Sequence, residues 1–123
     1  MDSPVKINIA EKLSLFDEHW SPKIVGELNG QLVKLVKLVK LFGEFVWHYH
    51  DDEDEMFVVD GRFRMEFRDR EVWIERGEFI VVPRGVEHRP VAEEEASVML
   101  FEPASTVDTG NVTGSTVAEL DRI

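Results

Sequence analysis

Two stretches decide the fold. One is Phe45-Val46-Trp47-His48-Tyr49-His50, which runs through the acids Asp51 to Glu55 into Met56-Phe57-Val58-Val59; the other is Gly77-Glu78-Phe79-Ile80-Val81-Val82-Pro83-Arg84-Gly85-Val86-Glu87-His88. On an extended strand alternate side chains project to the same side, so His48 and His50 aim two imidazoles at one point. Glu55 follows after a four-residue gap and opens the next apolar run, which is expected to fold back beside the first. His88 brings a third imidazole from the end of the second stretch. Three of the chain's four histidines therefore sit on strand-like segments, with a carboxylate at a workable offset. Neutral imidazole nitrogens and a carboxylate oxygen converging from separate strands are the donor set of a divalent-metal site.

The neighbouring segments extend the strand pattern. From Gly61 to Arg68, Phe63, Met65 and Phe67 alternate with Arg62, Arg64, Glu66 and Arg68, as on a strand with one wet face. Pairing Val59 with Arg62 across a two-residue turn would drive arginines into the core, at several kcal/mol each. A three-residue loop, Asp60-Gly61-Arg62 with Gly61 left-handed, pairs Val59 with Phe63 and avoids this. The alternative keeps the shorter turn and makes Asp54 the inward carboxylate; Glu55 is preferred for its longer reach. Asp69-Arg70-Glu71 turns the chain and Val72-Trp73-Ile74 returns it. Phe79 to Val82 is a short apolar strand stopped by Pro83-Arg84-Gly85, which launches Val86 to Val91. Ala96 to Glu102 is a further strand.

Gln31 to Leu41 repeats Leu-Val-Lys, which puts Lys34, Lys37 and Lys40 on one face of a conceivable amphipathic helix. The valines and the flanking Gly30 and Gly43 favour a strand instead. Residues 1–30 read as an N-terminal arm with edge strands, 31–102 as the body of the fold, and 103–123 as a C-terminal loop and short helix, all within one domain. One or two helical turns are expected over Thr116 to Ile123, capped by Thr116 or Ser115. His19 reads as a surface histidine. Short strands with frequent turns and almost no helix indicate an all-β sandwich or barrel, whose interior can hold side chains or one small ligand.

Composition excludes several classes. The chain has 123 residues and a net charge of −11, which argues against nucleic-acid binding and against attraction to anionic membranes. There are no cysteines, hence no disulfides, thiolate ligands or cysteine nucleophile, as suits the cytoplasm. The amino terminus shows no secretory pattern, and no apolar run approaches the ~20 residues needed to span a bilayer.

Residues 43–90 resemble the two signature motifs of the cupin superfamily, and the whole chain resembles the small single-domain bacterial cupins. In the second motif, Gly77, Pro83, Gly85 and His88 match without a gap. In the first, His48-Tyr49-His50, the four-residue gap and Glu55 match, while Gly43 and Gly61 each fall one residue short. The Asn usual four places after the last histidine is replaced by Ala92. The resemblance implies a double-stranded β-helix (jelly-roll) barrel, with His48, His50, Glu55 and His88 as metal ligands. It also implies a homodimer, since small cupins commonly pair.

Three nitrogens and one oxygen leave two open positions in an octahedron, which suits Mn, Fe, Ni or Co and admits Zn, with Mn or Fe favoured. The expected cavity lining, Val46, Phe57, Val59, Phe63, Met65, Phe67 and Pro90, offers few general acids or bases. A metal-dependent enzyme acting on a small molecule, of oxygenase type before sugar-isomerase type, fits that lining. A non-catalytic cupin that binds metal or a small ligand as sensor or store is the alternative. Phe45, Trp47 and Tyr49 face away from the histidines, so the N-terminal arm or a second subunit is expected to cover them.

Overall fold

The structure, a computed structural model, describes residues 4–39, 47–50, 55–104 and 121–123, with the backbone alone for residues 55–60. Its elements are a short helix α1 (Ile9–Leu13) and eight strands: β1 (Lys23–Leu28), β2 (Gln31–Leu38), β3 (Glu55–Asp60), β4 (Arg62–Phe67), β5 (Glu71–Glu75), β6 (Phe79–Val82), β7 (His88–Val91) and β8 (Ala96–Pro103). They form a five-stranded sheet in the order β1-β2-β8-β3-β6 and a three-stranded sheet in the order β5-β4-β7. From β3 onward the chain passes repeatedly from one sheet to the other, and every paired strand is antiparallel. This is an all-β jelly-roll barrel.

Alternation builds the interior. Along β8 the buried residues are Ala96, Val98, Leu100 and Glu102, and on β2 the buried Leu38, Val36, Lys34 and Leu32 lie directly across from them in that order. The smaller sheet contributes Phe63, Met65 and Ile74, each at most 2% exposed. Burying such side chains contributes about 1.5–3 kcal/mol each. On the opposite face of that sheet, Arg64 meets Glu66, Glu71 and Glu93 at 3.1–3.2 Å, and the Arg62 guanidinium lies 4.1 Å from the Trp73 ring. The arginines of β4 therefore stay in the wet layer, as their alternation requires.

Three expectations are corrected. First, β3 and β4 do not form a hairpin: Val59 pairs with Val98 and Phe63 with Ile74, in different sheets. Gly61, at φ +113, is the corner between them. A corner satisfies the burial of Phe63 and Met65 as well as the expected three-residue loop does. Second, the run opened by Glu55 does not lie beside the His48–His50 segment; β3 pairs with β6 and β8, while His48 pairs with His88. Third, residues 1–30, expected as an arm with edge strands, hold the edge strand β1 but also the helix α1, which was not expected. Asn8 starts it, its side chain accepting the Glu11 N–H at 2.9 Å.

The segment 31–38 is a strand, so Lys34 and Lys37 fall on opposite faces. Lys40, Asp51 to Asp54 and residues 105–120 lie outside the described residues, and with them most of the expected C-terminal helix. Residues 121–123 run beside β1, with Arg122 opposite Ile24. Lys23 ties the two ends together: its buried ammonium meets Glu18 and, at 3.2 Å, Asp121. The hydrogen bond it donates to Glu18 raises its pKa, against desolvation and with help from Asp121. Among the described residues no helix is long and apolar enough to cross a membrane.

Gly61 also approaches β8 closely: a Cβ there would sit 3.3 Å from the Ala96 Cα. Gly30, at φ +76, has open space around it. Gly30→Ala should cost about 1 kcal/mol, and Gly61→Ala measurably more, read from urea unfolding midpoints. Equal losses would remove the role of close approach at the corner.

Candidate metal centre

Three side chains meet where the two sheets face one another. His48 and His88 form an antiparallel bridge: the His48 N–H donates to the His88 carbonyl at 3.1 Å and the His88 N–H to the His48 carbonyl at 2.9 Å. Residues directly opposite in such a bridge project to the same side, and their rings lie 4.3 Å apart. Two residues on, His50 returns to that side, and its carbonyl accepts the Gly85 N–H at 2.7 Å. The Pro83-Arg84-Gly85 turn thus holds the His50 backbone at the same time as it starts the chain toward His88. The His50 ring is 5.2 Å from that of His48 and 5.7 Å from that of His88.

All three histidines are buried, at 3%, 4% and 0% exposure. One nitrogen from each lies within 4.8 Å of the others. Metal–imidazole bonds of about 2.1 Å would keep nitrogens on one ion within ~4.2 Å of each other, so adjustments on the scale of a side-chain rotation close the set. The His88 tautomer fits as well. Its Nδ1 is 2.8 Å from the Val86 carbonyl oxygen, which can only accept, so Nδ1 carries the proton and Nε2 presents a lone pair. The donor set therefore suits a borderline transition metal.

Glu55 opens β3 opposite Val82, which is 1% exposed. Its side chain, and the whole of Asp54, lie outside the described residues. Of the expected lining, Phe63, Met65 and Pro90 are buried and Phe67 packs against the core. Val46 and the side chains of Phe57 and Val59 are outside the description. His19 stands apart on the surface, 2.7 Å from Glu95. Trp47 is half-buried, with the guanidinium carbons of Arg68 and Arg89 4.1 Å and 4.7 Å from its ring centre. The cover expected from an arm or a second subunit is supplied at this ring by the chain's own arginines; Tyr49 is half-buried, and Phe45 is not described.

Sequence reasoning missed one pair, Lys34 and Glu102, joined at 2.7 Å with side chains 2% and 1% exposed. The available signal was Lys34 itself, in phase with Leu32, Val36 and Leu38 once the segment is a strand.

Over residues 37–102 the chain matches the family model of the cupin domain. The chain belongs to the cupin family. This cupin is 48% identical to a cupin-2 domain protein of known structure from Shewanella frigidimarina, with a TM-score of 0.73 over 79% of this chain and 93% of the other. It is 33% identical over 67 residues to YdbB of Bacillus subtilis, covering 53% of this cupin and 57% of that protein. It is 29% identical over 80 residues to acireductone dioxygenase of Phaeosphaeria nodorum, covering 61% of this cupin and 41% of that enzyme. The chain thus spans about half the length of these two curated relatives, at 57% and 41%.

The strand that carries His88 is braced from outside. Arg89, the next residue, donates to Glu66 at 2.6 Å, and Arg64 donates to the other Glu66 oxygen at 3.1 Å. Burial pushes the Glu66 carboxyl up, but the hydrogen bonds and charges of Arg89 and Arg64 outweigh it and hold the group below its ordinary 4.5. A lowered value means the brace stabilises fully above pH 4.5 and is lost as pH falls through the folded value. Glu66→Gln should cost about 1.5–3 kcal/mol at pH 7. In thermal unfolding, its difference from the unaltered protein should shrink as pH falls below 4.5. A gap that stays constant down to the lowest measurable pH would refute the brace.

Proposed function

We propose that His48, His50 and His88, joined by the carboxylate of Glu55, hold one divalent transition-metal ion, Mn or Fe before Ni, Co or Zn. The cupin then acts as a metal-dependent enzyme on a small molecule, of oxygenase type before sugar-isomerase type. The observation that carries this reading is the buried cluster of three imidazoles, one of them fixed in a metal-binding tautomer. The position of Glu55 opposite an inward valine supports it as the fourth ligand in preference to Asp54. When bound, the ion supplies Lewis acidity and open coordination positions. The chain's own part is to exclude water with Phe63, Met65 and Pro90 and, through the Val86 carbonyl, to fix the proton of the neutral His88 ring on Nδ1 so that Nε2 faces the ion.

Similarity to an acireductone dioxygenase supports the oxygenase direction. The second reading, a cupin that binds metal or a small ligand without catalysis, is supported by the scarcity of general acids and bases in the expected lining. In both readings the protein works in the cytoplasm as a homodimer; Phe79 and Val81, 64% and 46% exposed on the edge strand β6, support a second copy.

Protein purified without chelator should carry one equivalent of metal by elemental analysis. His88→Ala and Glu55→Ala should lose it, whereas Asp54→Ala should keep it. Retention in Glu55→Ala with loss in Asp54→Ala would reverse the carboxylate assignment. Oxygen uptake with enediols and phenolics, on protein loaded with Fe(II), Mn(II) or Ni(II), separates the two readings; silence with every metal favours the non-catalytic one. Sedimentation should give twice the chain mass of 14.2 kDa.

A further inference from the structure

The segment that carries His48 and His50 is pinned on its outer side as well as through its backbone. The backbone bonds go to His88 and to Gly85. Continued by one residue, the bridge between His48 and His88 sets Trp47 opposite Arg89, on the face turned away from the imidazoles. The side chains agree with that register. The guanidinium carbon of Arg89 lies 4.7 Å from the Trp47 ring centre, and that of Arg68 lies 4.1 Å from it. Each arginine is in turn anchored by a carboxylate: Arg89 donates to Glu66 at 2.6 Å, and Arg68 donates to Glu87 at 3.0 Å. Trp47 therefore ties its own segment to β7 and, through Arg68, to the residue that follows β4.

A guanidinium is attracted to the negative face of an aromatic ring, most strongly to that of tryptophan. Two such contacts oppose a rocking of the 47–50 segment about its bridge with β7. That motion matters inside the barrel. The three imidazoles offer nitrogens within 4.8 Å of one another, and a single ion needs them within ~4.2 Å. A small displacement of His48 and His50 thus decides whether the set closes. Affinity for the ion falls with the fraction of molecules whose histidines are arranged to close on it.

Resting on the metal-centre reading above, we propose that Trp47 is a positioning residue for that centre. Clasped by Arg68 and Arg89 outside the barrel, it holds His48 and His50 at the separation from His88 that one ion requires. Trp73 supplies the comparison within the same sheet. Its ring lies 4.1 Å from the Arg62 guanidinium and 5.5 Å from that of Arg64, but on β5, at the edge of the sheet away from β7.

Co(II) is titrated into metal-free protein and followed by its d–d absorption. Trp47→Leu keeps apolar bulk but removes the ring face, and should weaken Co(II) binding about ten-fold. Trp47→Phe restores a ring and should recover most of that loss. Trp73→Leu loses the same kind of contact elsewhere in the sheet and should leave the affinity unchanged. Unchanged affinity in Trp47→Leu overturns this inference and leaves the metal centre standing. So does an equal loss in Trp73→Leu, which would reduce Trp47 to general support of the fold. If Trp47→Leu does not fold, Arg68→Met decides in its place, since the Arg68 side chain is 58% exposed. It should weaken Co(II) binding about three-fold, and no change there overturns the inference equally. Unaltered protein that takes up no Co(II) removes the metal centre and this inference with it.

Discussion

The inward-outward alternation of β8 is the constraint on which the rest depends. This strand is hydrogen-bonded along both edges, to β2 and to β3, so its register sets theirs. Because Ala96, Val98, Leu100 and Glu102 all face the interior, a slip of one residue would exchange them for Ser97, Met99, Phe101 and Pro103. Such a slip would force the larger Met99 and Phe101 into space packed around Ala96, Val98 and Leu100, and would part Glu102 from Lys34. The same register places Lys34 inside, and it sets Glu55, at the start of β3, toward one end of the barrel.

The three imidazoles depend on that frame, because none of their segments could hold them alone. His48 and His50 lie on a short stretch whose pairing among the described residues runs through His88 and the Gly85 turn. His88 sits on a strand of four residues that is braced on its outer side by Glu66. Polar groups on both faces of β7 thus act together. The outer ones hold the strand while the inner one presents nitrogen to a dry interior, where a cation would find little competition from water.

The arginine-rich outer face shows how the same alternation serves solubility. Arg62, Arg64, Arg68 and Arg89 lie over Trp73 and Trp47 and beside glutamates, so aromatic surface is covered without a further layer of chain. Each exposed pair contributes little by itself. Half-buried Glu66, bound by two arginines, is the member with a lowered pKa in this layer.

Much was legible in the residue order because it depends on local physics. Strand periodicity marked Phe63 and Met65 as interior and Arg62 and Arg64 as exterior. The spacing of His48, His50 and His88 announced three converging imidazoles, and the glycine and proline positions announced the turns. Which strands pair could not be read this way, since a corner and a hairpin at Gly61 satisfy the same burial pattern. The segment 31–38 was ambiguous for a related reason: its repeat fits a helix face as well as a strand. Only its place between β1 and β8 decided that Lys34 points inward. Its partner, Glu102, is 68 residues away, and contacts at that separation exist only once the sheets have assembled.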